Sequence, residues 1–101
     1  MKVMMSDPAL DDVEGIEIYL SDKNPAKARK LTKEIFARAR SLAVFPRRGR
    51  MIPEIGDANL RELIVGDYRL MYEIDDDNGI VEVLAVLHGK REVPMDRLLD
   101  D

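Results

Sequence analysis

The sequence predicts an α+β fold in which a helical hairpin covers one face of a largely antiparallel four-stranded sheet. Ser6-Asp7-Pro8 and Asn24-Pro25 are helix-start signals, and apolar residues at three- and four-residue spacing follow each of them. Runs of alternating apolar residues then occupy the stretch from Leu60 to Arg91. The resulting order, β-α-α-β-β-β, predicts a single domain over residues 1–101.

The first half of the chain predicts one short strand and two helices. Lys2 to Met5 is too short to stand alone, so we expect it to join the sheet. We expect the first helix to have Asp7 as its N-cap and to end near Ser21. Its predicted apolar stripe contains Leu10, Val13, Ile16, Tyr19 and Leu20. The second helix should end near Ala43, and its stripe contains Ala28, Leu31, Ile35, Ala39 and Leu42.

The second half predicts a loop, a three-stranded meander and a short helical end. Arg47 to Asn59 contains two glycines and a proline, which is typical of a loop. Gly66-Asp67 and Asn78-Gly79 suit two-residue hairpin turns. Such turns would pair Val65 with Tyr68 and Asp77 with Ile80, and would place Arg69 opposite His88. One or two helical turns are expected within Val93 to Leu99.

This register divides the meander into two faces, because side chains alternate along a strand. The face expected beneath the helices carries Leu63, Val65, Tyr68, Leu70, Tyr72, Ile74, Val81, Val83, Ala85 and Leu87. The other carries Leu60, Glu62, Ile64, Arg69, Met71, Glu73, Leu84, Val86 and His88. This second face is more apolar than a solvated face usually is, so we interpret it as the functional face.

Composition narrows the class of protein. The chain has no cysteine, which leaves no disulfide framework and no thiolate metal site. It has no signal-peptide pattern and no apolar run of membrane-spanning length, so we expect a cytoplasmic protein without a membrane partner. The formal net charge is −4, yet nine basic residues and one acidic residue lie between Asn24 and Arg50. This cluster indicates either an acidic partner or an ordinary solvated helix face.

The ordered motifs resemble the RelE/ParE superfamily of type II toxin–antitoxin modules, and most closely its ParE branch. The matching segments are SDPALDDVEGIEIYL, NPAKA, FPRRGR, LRELIVGDYRLMYEI and VLHGKRE. The resemblance implies the βααβββ fold, a cognate ParD-like antitoxin as partner, and growth inhibition when that antitoxin is lost. RelE-like members cut mRNA on the ribosome, whereas ParE-like members are associated with poisoning DNA gyrase. Fold similarity does not choose between these two activities.

Arg69 and His88 are the candidate catalytic residues under the nuclease alternative. Arg69 stands where RNA-cleaving relatives keep a strand arginine, and histidine is the usual acid–base side chain near neutral pH. Those relatives surround the pair with further cations, whereas Met71, Glu73, Leu84 and Val86 are expected around it here. We therefore prefer a structural ion pair for Arg69, and no catalytic residue, metal or cofactor. A third alternative is a binding partner that has lost toxicity.

The preferred function is a toxin that binds DNA gyrase and is neutralised by its antitoxin, and we rank protein partners above nucleic acid. The candidate antitoxin-binding residues form an apolar groove with a basic rim: Tyr19, Leu20, Leu60, Ile64, Met71, Leu84, Val86, Arg47, Arg48 and Arg50. The candidate target contacts are Arg61, Arg69, His88, Lys90 and Arg91. The helical turns from Val93 to Leu99 could instead fold over part of this face.

Overall fold

The computed structural model describes residues 1–99 and has the predicted α+β architecture with one additional strand. The elements in chain order are β1 (Lys2–Met5), α1 (Asp7–Ser21), α2 (Pro25–Ser41), β2 (Arg50–Met51), β3 (Leu60–Val65), β4 (Tyr68–Asp75), β5 (Ile80–His88) and α3 (Met95–Leu98). The sheet has the order β1-β5-β4-β3-β2, with β1 parallel to β5 and the other pairs antiparallel. The sheet therefore has five strands, and the prediction of four was wrong. The missed strand, β2, has two residues and lies inside the segment predicted as a loop.

Both helix starts are fixed by side-chain caps, although the first cap is not the predicted one. Ser6 Oγ accepts a hydrogen bond from the Ala9 N–H (3.1 Å), which makes Asp7 the first helical residue and not the N-cap. Asn24 Oδ1 accepts from the Lys27 N–H (3.2 Å), as predicted. Because each cap is a local interaction, a short sequence motif was enough to predict where each helix begins.

The two helices differ in how well their buried stripes were predicted. Residues Ala28, Ile35, Ala39 and Leu42 of the second stripe are buried, which confirms that prediction. In α1 the buried residues are Ala9 and Val13, whereas Leu10 and Tyr19 are 42% and 59% exposed. The stripe of α1 is rotated because the small side chain of Ala9 packs against the sheet. The predicted position of Leu10 in the buried stripe was therefore wrong, and Tyr19, expected beside that stripe, lies outside the core.

The first hairpin has the predicted register and the second does not. Val65 pairs with Tyr68, and Gly66 takes the positive φ (59°) that the tight turn requires. Asp75, and not Asp77, pairs with Ile80, which leaves a four-residue loop. Asp75 stabilises this longer loop because its carboxylate accepts hydrogen bonds from the Asn78 N–H (3.1 Å) and from Asn78 Nδ2 (2.8 Å).

A β-bulge in β5 changes the faces of the residues that follow it. Tyr72 pairs with Val83, and the next residue back along β4, Met71, pairs with Ala85, so Leu84 is the extra residue. Beyond this point Val86 faces the helices, whereas Ala85 and Leu87 face the opposite side. The predicted faces of these three residues were therefore wrong.

Each face of the sheet carries a separate apolar core. The larger core lies beneath the helices and contains, among others, Ile35, Leu42, Leu63, Leu70, Tyr72, Val81 and Val83. The second core lies on the opposite face and contains Ile52, Leu60, Met71, Ala85, Leu87 and Leu98. The 52–60 loop and the C-terminal segment supply the cover, so the predicted helical turn at the C-terminus folds over the second face. Leu60 and Met71 are 3% and 0% exposed and do not form an open groove.

Candidate functional site

A buried cluster of charged side chains lies on the second face of the sheet. Arg69 Nε on β4 donates to Glu62 Oε1 on β3 (2.6 Å). Both terminal nitrogens of Arg69 donate to the carboxylate of Glu54, at 2.9 and 2.8 Å. Arg50 on β2 donates to the other oxygen of Glu62 (2.7 Å). One carboxylate cannot accept hydrogen bonds from all five N–H donors of a guanidinium group, and here two carboxylates bind Arg69.

Hydrogen bonds in this cluster change the pKa values of Glu54 and Arg69. The hydrogen bonds from Arg69 lower the pKa of Glu54 to about 2, and the same contacts raise the pKa of Arg69. The side chains of Glu62 and Arg69 are 0% and 8% exposed. The Arg69 guanidinium is thus neutralised inside the protein, which confirms the predicted ion pair and leaves it unavailable to an external phosphate.

The loop between α2 and β2 is held to β3 and β4 by hydrogen bonds. Tyr72 Oη donates to the Pro46 carbonyl (2.7 Å) and accepts from the Gly49 N–H (3.0 Å). A Cβ at Gly49 would lie 2.5 Å from the Glu62 carbonyl oxygen, so only glycine fits here. Arg61 donates to the carbonyls of Ala58 (2.8 Å) and Gly49 (2.9 Å). Arg61, one of the candidate target contacts, therefore holds the loop.

His88 lies at the end of β5 opposite Tyr68, not opposite Arg69. The predicted Arg69–His88 pair was wrong, because the longer loop and the bulge together shift the register of β5. The two rings meet edge to face, with centroids 5.6 Å apart. His88 Nδ1 accepts from the Lys90 N–H (3.2 Å), which orients the imidazole. Burial raises the pKa of Tyr68, so its phenol stays neutral near pH 7.

These rings line a cleft of about 530 Å³ between α1 and the ends of β4 and β5. Gly15 leaves room for the cleft, since no atom lies within 4 Å of a Cβ built there. The remaining lining residues come from α1, β5 and the segment after it: Asp11, Asp12, Ile16, Tyr19, Val86, Leu87 and Arg91. Of the candidate residues, the cleft brings together Tyr19, Val86, His88 and Arg91. Its two aspartates and one arginine give it no excess of positive charge.

Asp12 connects this cleft to the C-terminal segment. Its carboxylate accepts from the Val86 N–H (3.0 Å) and from both terminal nitrogens of Arg97, at 2.6 and 3.2 Å. Arg97 also donates to the Leu84 carbonyl (3.3 Å). Because β1 pairs only with residues 80–83 of β5, Asp12 supplies a hydrogen-bond acceptor where no strand continues. The pKa of Arg97 is raised by this contact.

A second concave surface follows α2. Val44 and Phe45 are 72% and 63% exposed, and with Pro46, Arg47 and Arg48 they line a shallow cavity of about 630 Å³. Arg47 is paired with Asp76 (2.6 Å), whereas Arg48 has no ion-pair partner among residues 1–99. Sequence reasoning missed Val44 and Phe45. The available signal was two large apolar residues directly before a proline and two arginines.

The predicted antitoxin-binding residues are not brought together in one groove. Leu60, Met71 and Val86 are buried within the chain and are unavailable to a partner. Tyr19 is exposed on α1, Ile64 is 48% exposed on the opposite side of the sheet, and Leu20 and Leu84 are half-buried. Arg47, Arg48 and Arg50 are exposed. The bulge and the covering segments explain why these residues are dispersed. The alternation of side chains along a strand, from which the groove was predicted, reveals neither feature.

The described residues contain neither a metal-ligand cluster nor a membrane-spanning helix. Across residues 1–99, no three His, Asp or Glu side chains converge on a position where they could hold a metal ion. The helices of the same residues lack the length and the apolarity that a bilayer span requires.

The chain is similar to known toxins over most of its length. Residues 3–93 match the family profile described as the ParE toxin of the type II toxin–antitoxin system parDE. The chain is 33% identical over 84 residues to Toxin RelE2 of Caulobacter vibrioides, which covers 82% of this chain and 89% of that protein.

Two solved structures have a similar fold. One is the chromosomal ParDE system from P. aeruginosa, with a TM-score of 0.72, 16% identity, and coverage of 87% of this chain and 95% of that chain. The other is the toxin–antitoxin complex RelBE2 from Mycobacterium tuberculosis, with a TM-score of 0.59, 25% identity, and coverage of 86% and 95%. With a helical hairpin followed by an antiparallel meander, and with the match over residues 3–93, the chain belongs to the ParE toxin family of type II toxin–antitoxin systems, within the RelE/ParE superfamily.

Proposed function

We propose that this toxin inhibits growth by binding DNA gyrase, and that it does not cut RNA. The observation that carries the proposal is the internal neutralisation of Arg69 by Glu54 and Glu62. Cleavage of an RNA backbone without a metal needs a cation that stabilises the charged transition state. The strand arginine that could have filled this role is already bound by two carboxylates.

The surroundings of His88 support the same conclusion. His88 faces Tyr68 and lies in a cleft with Asp11, Asp12 and Arg91. The Asp11 carboxylate of this cleft would repel a phosphate, because like charges at close range are unfavourable, whereas Asp12 is already paired with Arg97. An acid–base residue whose cleft is lined by one arginine, Arg91, is a weak candidate for RNA cleavage. A protein-binding toxin requires no such arrangement, and the ParE profile that matches the chain belongs to the branch associated with gyrase.

The proposed target contacts are Lys90 and Arg91, whereas His88 is half-buried against the Tyr68 ring and is not one of them. Lys90 and Arg91 are exposed directly after β5, and Arg91 lines the cleft beside His88. Arg61 and Arg69 are withdrawn from the proposed contact surface, because their guanidinium groups hold other parts of the chain. The proposed target surface is therefore the cleft rim at the end of β5.

We propose that a cognate antitoxin neutralises the toxin by covering exposed apolar residues of α1 and of the turn after α2. Ile18 and Tyr19 on α1 and Val44 and Phe45 on the turn are between 59% and 72% exposed. Exposed groups of this size on a small chain are typical of interaction surfaces. Arg47 and Arg48 flank Phe45, so an antitoxin segment that combines apolar and acidic residues would be complementary there.

A growth assay with a single-residue variant distinguishes gyrase binding from RNA cleavage. The toxin and its His88→Ala variant are expressed from an inducible promoter without antitoxin. His88 is half-buried at the end of β5 and takes part in none of the ion pairs described above, so the variant should fold. We expect growth arrest by both proteins. Loss of toxicity in a folded His88→Ala protein would favour RNA cleavage that uses His88. If the unaltered protein does not arrest growth, the alternative of a binding partner that has lost toxicity is favoured. Arg69→Ala is unsuitable because it unpairs a buried carboxylate.

A further inference from the structure

The outer side of α2 carries a group of cations that the protein does not neutralise. Five basic residues of this helix are exposed: Lys27, Arg29, Lys30, Lys33 and Arg40, here called the α2 basic face. The helix contains one acidic residue, Glu34. None of the five has an ion-pair partner within 4.0 Å in residues 1–99, whereas Arg47, Arg50, Arg69 and Arg97 are all paired.

Three of these five cations lie in one row. At about 100° per residue, Arg29, Lys33 and Arg40 fall within roughly 40° of one another around the helix axis, on the side away from the buried stripe. They extend over about 16 Å of the axis at roughly 1.5 Å per residue. Ala26 and Ala37 are exposed on one flank of this row, and the half-buried Phe36 lies on the other. The α2 basic face therefore contains a straight row of three cations.

The composition of this surface favours a polyphosphate over a folded protein segment. No large apolar side chain of α2 is exposed, whereas the exposed apolar residues lie on α1, on the turn after α2 and elsewhere. A protein segment that folds on binding needs apolar anchors to offset its loss of conformational entropy. A phosphate backbone needs only correctly spaced cations, and Lys and Arg contacts to it carry no sequence information.

We infer that the α2 basic face binds the phosphate backbone of a duplex nucleic acid without reading its sequence. This goes beyond the proposed function, which needs protein partners only, and it does not depend on gyrase as the target. The acidic residues of α1, among them Asp11, Glu14 and Glu17, restrict the contact to one side of the helical hairpin. Direct contact with nucleic acid, ranked below protein partners from the sequence alone, thus has a defined surface.

Fluorescence anisotropy with the full chain and labelled duplexes of about 20 base pairs tests the inference. With about four phosphate contacts, we expect the affinity for DNA to fall roughly 100-fold between about 50 and 200 mM salt. The Lys30→Gln/Lys33→Gln variant should bind roughly tenfold more weakly at low salt and should reduce the salt slope by about two. A duplex RNA of the same sequence, tested in parallel, shows whether the chain binds the phosphates of DNA or those of RNA more tightly.

The matched control is Lys2→Gln/Lys23→Gln, which removes the same charge away from the α2 basic face. Lys2 lies on β1, and the Lys23 ammonium sits 4.7 Å from the centre of the Tyr19 ring on α1. We expect the control to change the affinity less than about twofold, since neither residue faces the ligand. Equal weakening by both variants would overturn the inference, as would absence of binding to either duplex at low salt. Tighter binding of a poly-glutamate peptide than of DNA would also overturn it.

Discussion

Glu62 is a buried carboxylate whose two oxygens are each bound by an arginine. Arg69 binds Oε1 and Arg50 binds Oε2, and the carboxylate is 0% exposed. A buried carboxylate without such partners would lose several kcal/mol of solvation. The three residues come from three neighbouring strands, so the cluster also joins β2, β3 and β4.

Removing one charge from this cluster should destabilise the fold. We predict that Glu62→Gln lowers the free energy of unfolding by about 2–3 kcal/mol, because it weakens two charged hydrogen bonds to buried or half-buried arginine atoms. Urea unfolding at neutral pH measures the change. The matched control is Asp76→Asn, which alters the exposed pair with Arg47 and should cost less than about 1 kcal/mol. Equal losses in the two variants would contradict a structural role for the cluster.

The lowered pKa of Glu54 makes part of the stability depend on pH. Its folded pKa of about 2 lies below the ordinary value of 4.5, so the stabilisation is present above 4.5 and is lost as the pH falls toward 2. Because the Glu54 side chain is 42% exposed, we expect only about 1 kcal/mol from this pair. Unfolding of the native chain and of Glu54→Gln should differ by this amount at neutral pH and converge in acid. A difference independent of pH would contradict the assignment.

At the scale of elements, α3 and the 52–60 loop decide what the second face of the sheet presents. Leu98 is 2% exposed and packs with Leu60, Met71 and Leu87. Arg97 adds a bidentate contact to Asp12 on α1. A short terminal helix therefore closes a core that the strands alone would leave open to solvent.

Two adjacent leucines test this cover directly. We predict that Leu98→Ala lowers the free energy of unfolding by about 2–3 kcal/mol, since it leaves a cavity in the second core. Leu99→Ala, in which the removed side chain is 49% exposed, should change it by less than about 0.5 kcal/mol. Chemical denaturation followed by circular dichroism gives both values. A Leu98→Ala protein as stable as the native chain would mean that α3 does not close the core.

The Asn24 cap, the Gly66 turn and the α2 stripe were predicted, and each involves residues close in sequence. The first cap was predicted at Asp7, one residue beyond its actual position at Ser6. The β5 register depends on the Asp75–Asn78 hydrogen bonds and on a bulge at Leu84, which alternation of apolar residues does not reveal. The misplacement of His88 and Val86 followed from that register. Glu54 was missed because it reaches Arg69 from an irregular loop.

At the scale of the whole molecule, the α2 basic face lies apart from the exposed large apolar residues. The helical hairpin presents acidic α1 beside basic α2, whereas exposed apolar residues lie on α1 and on the turn after α2. The cleft beside β5 is open at the other edge of α1. The surface proposed for a phosphate backbone is therefore separate from those proposed for an antitoxin and a target, which meet at Tyr19.

A supercoiling assay with purified gyrase and antitoxin-free toxin tests the proposed action on DNA gyrase most directly. Translation of a reporter mRNA in a cell-free extract runs in parallel. We expect lost supercoiling or accumulated cleavage complexes, an intact mRNA, and the same result with His88→Ala. Codon-phased cuts in the mRNA with unaffected gyrase would contradict the claim.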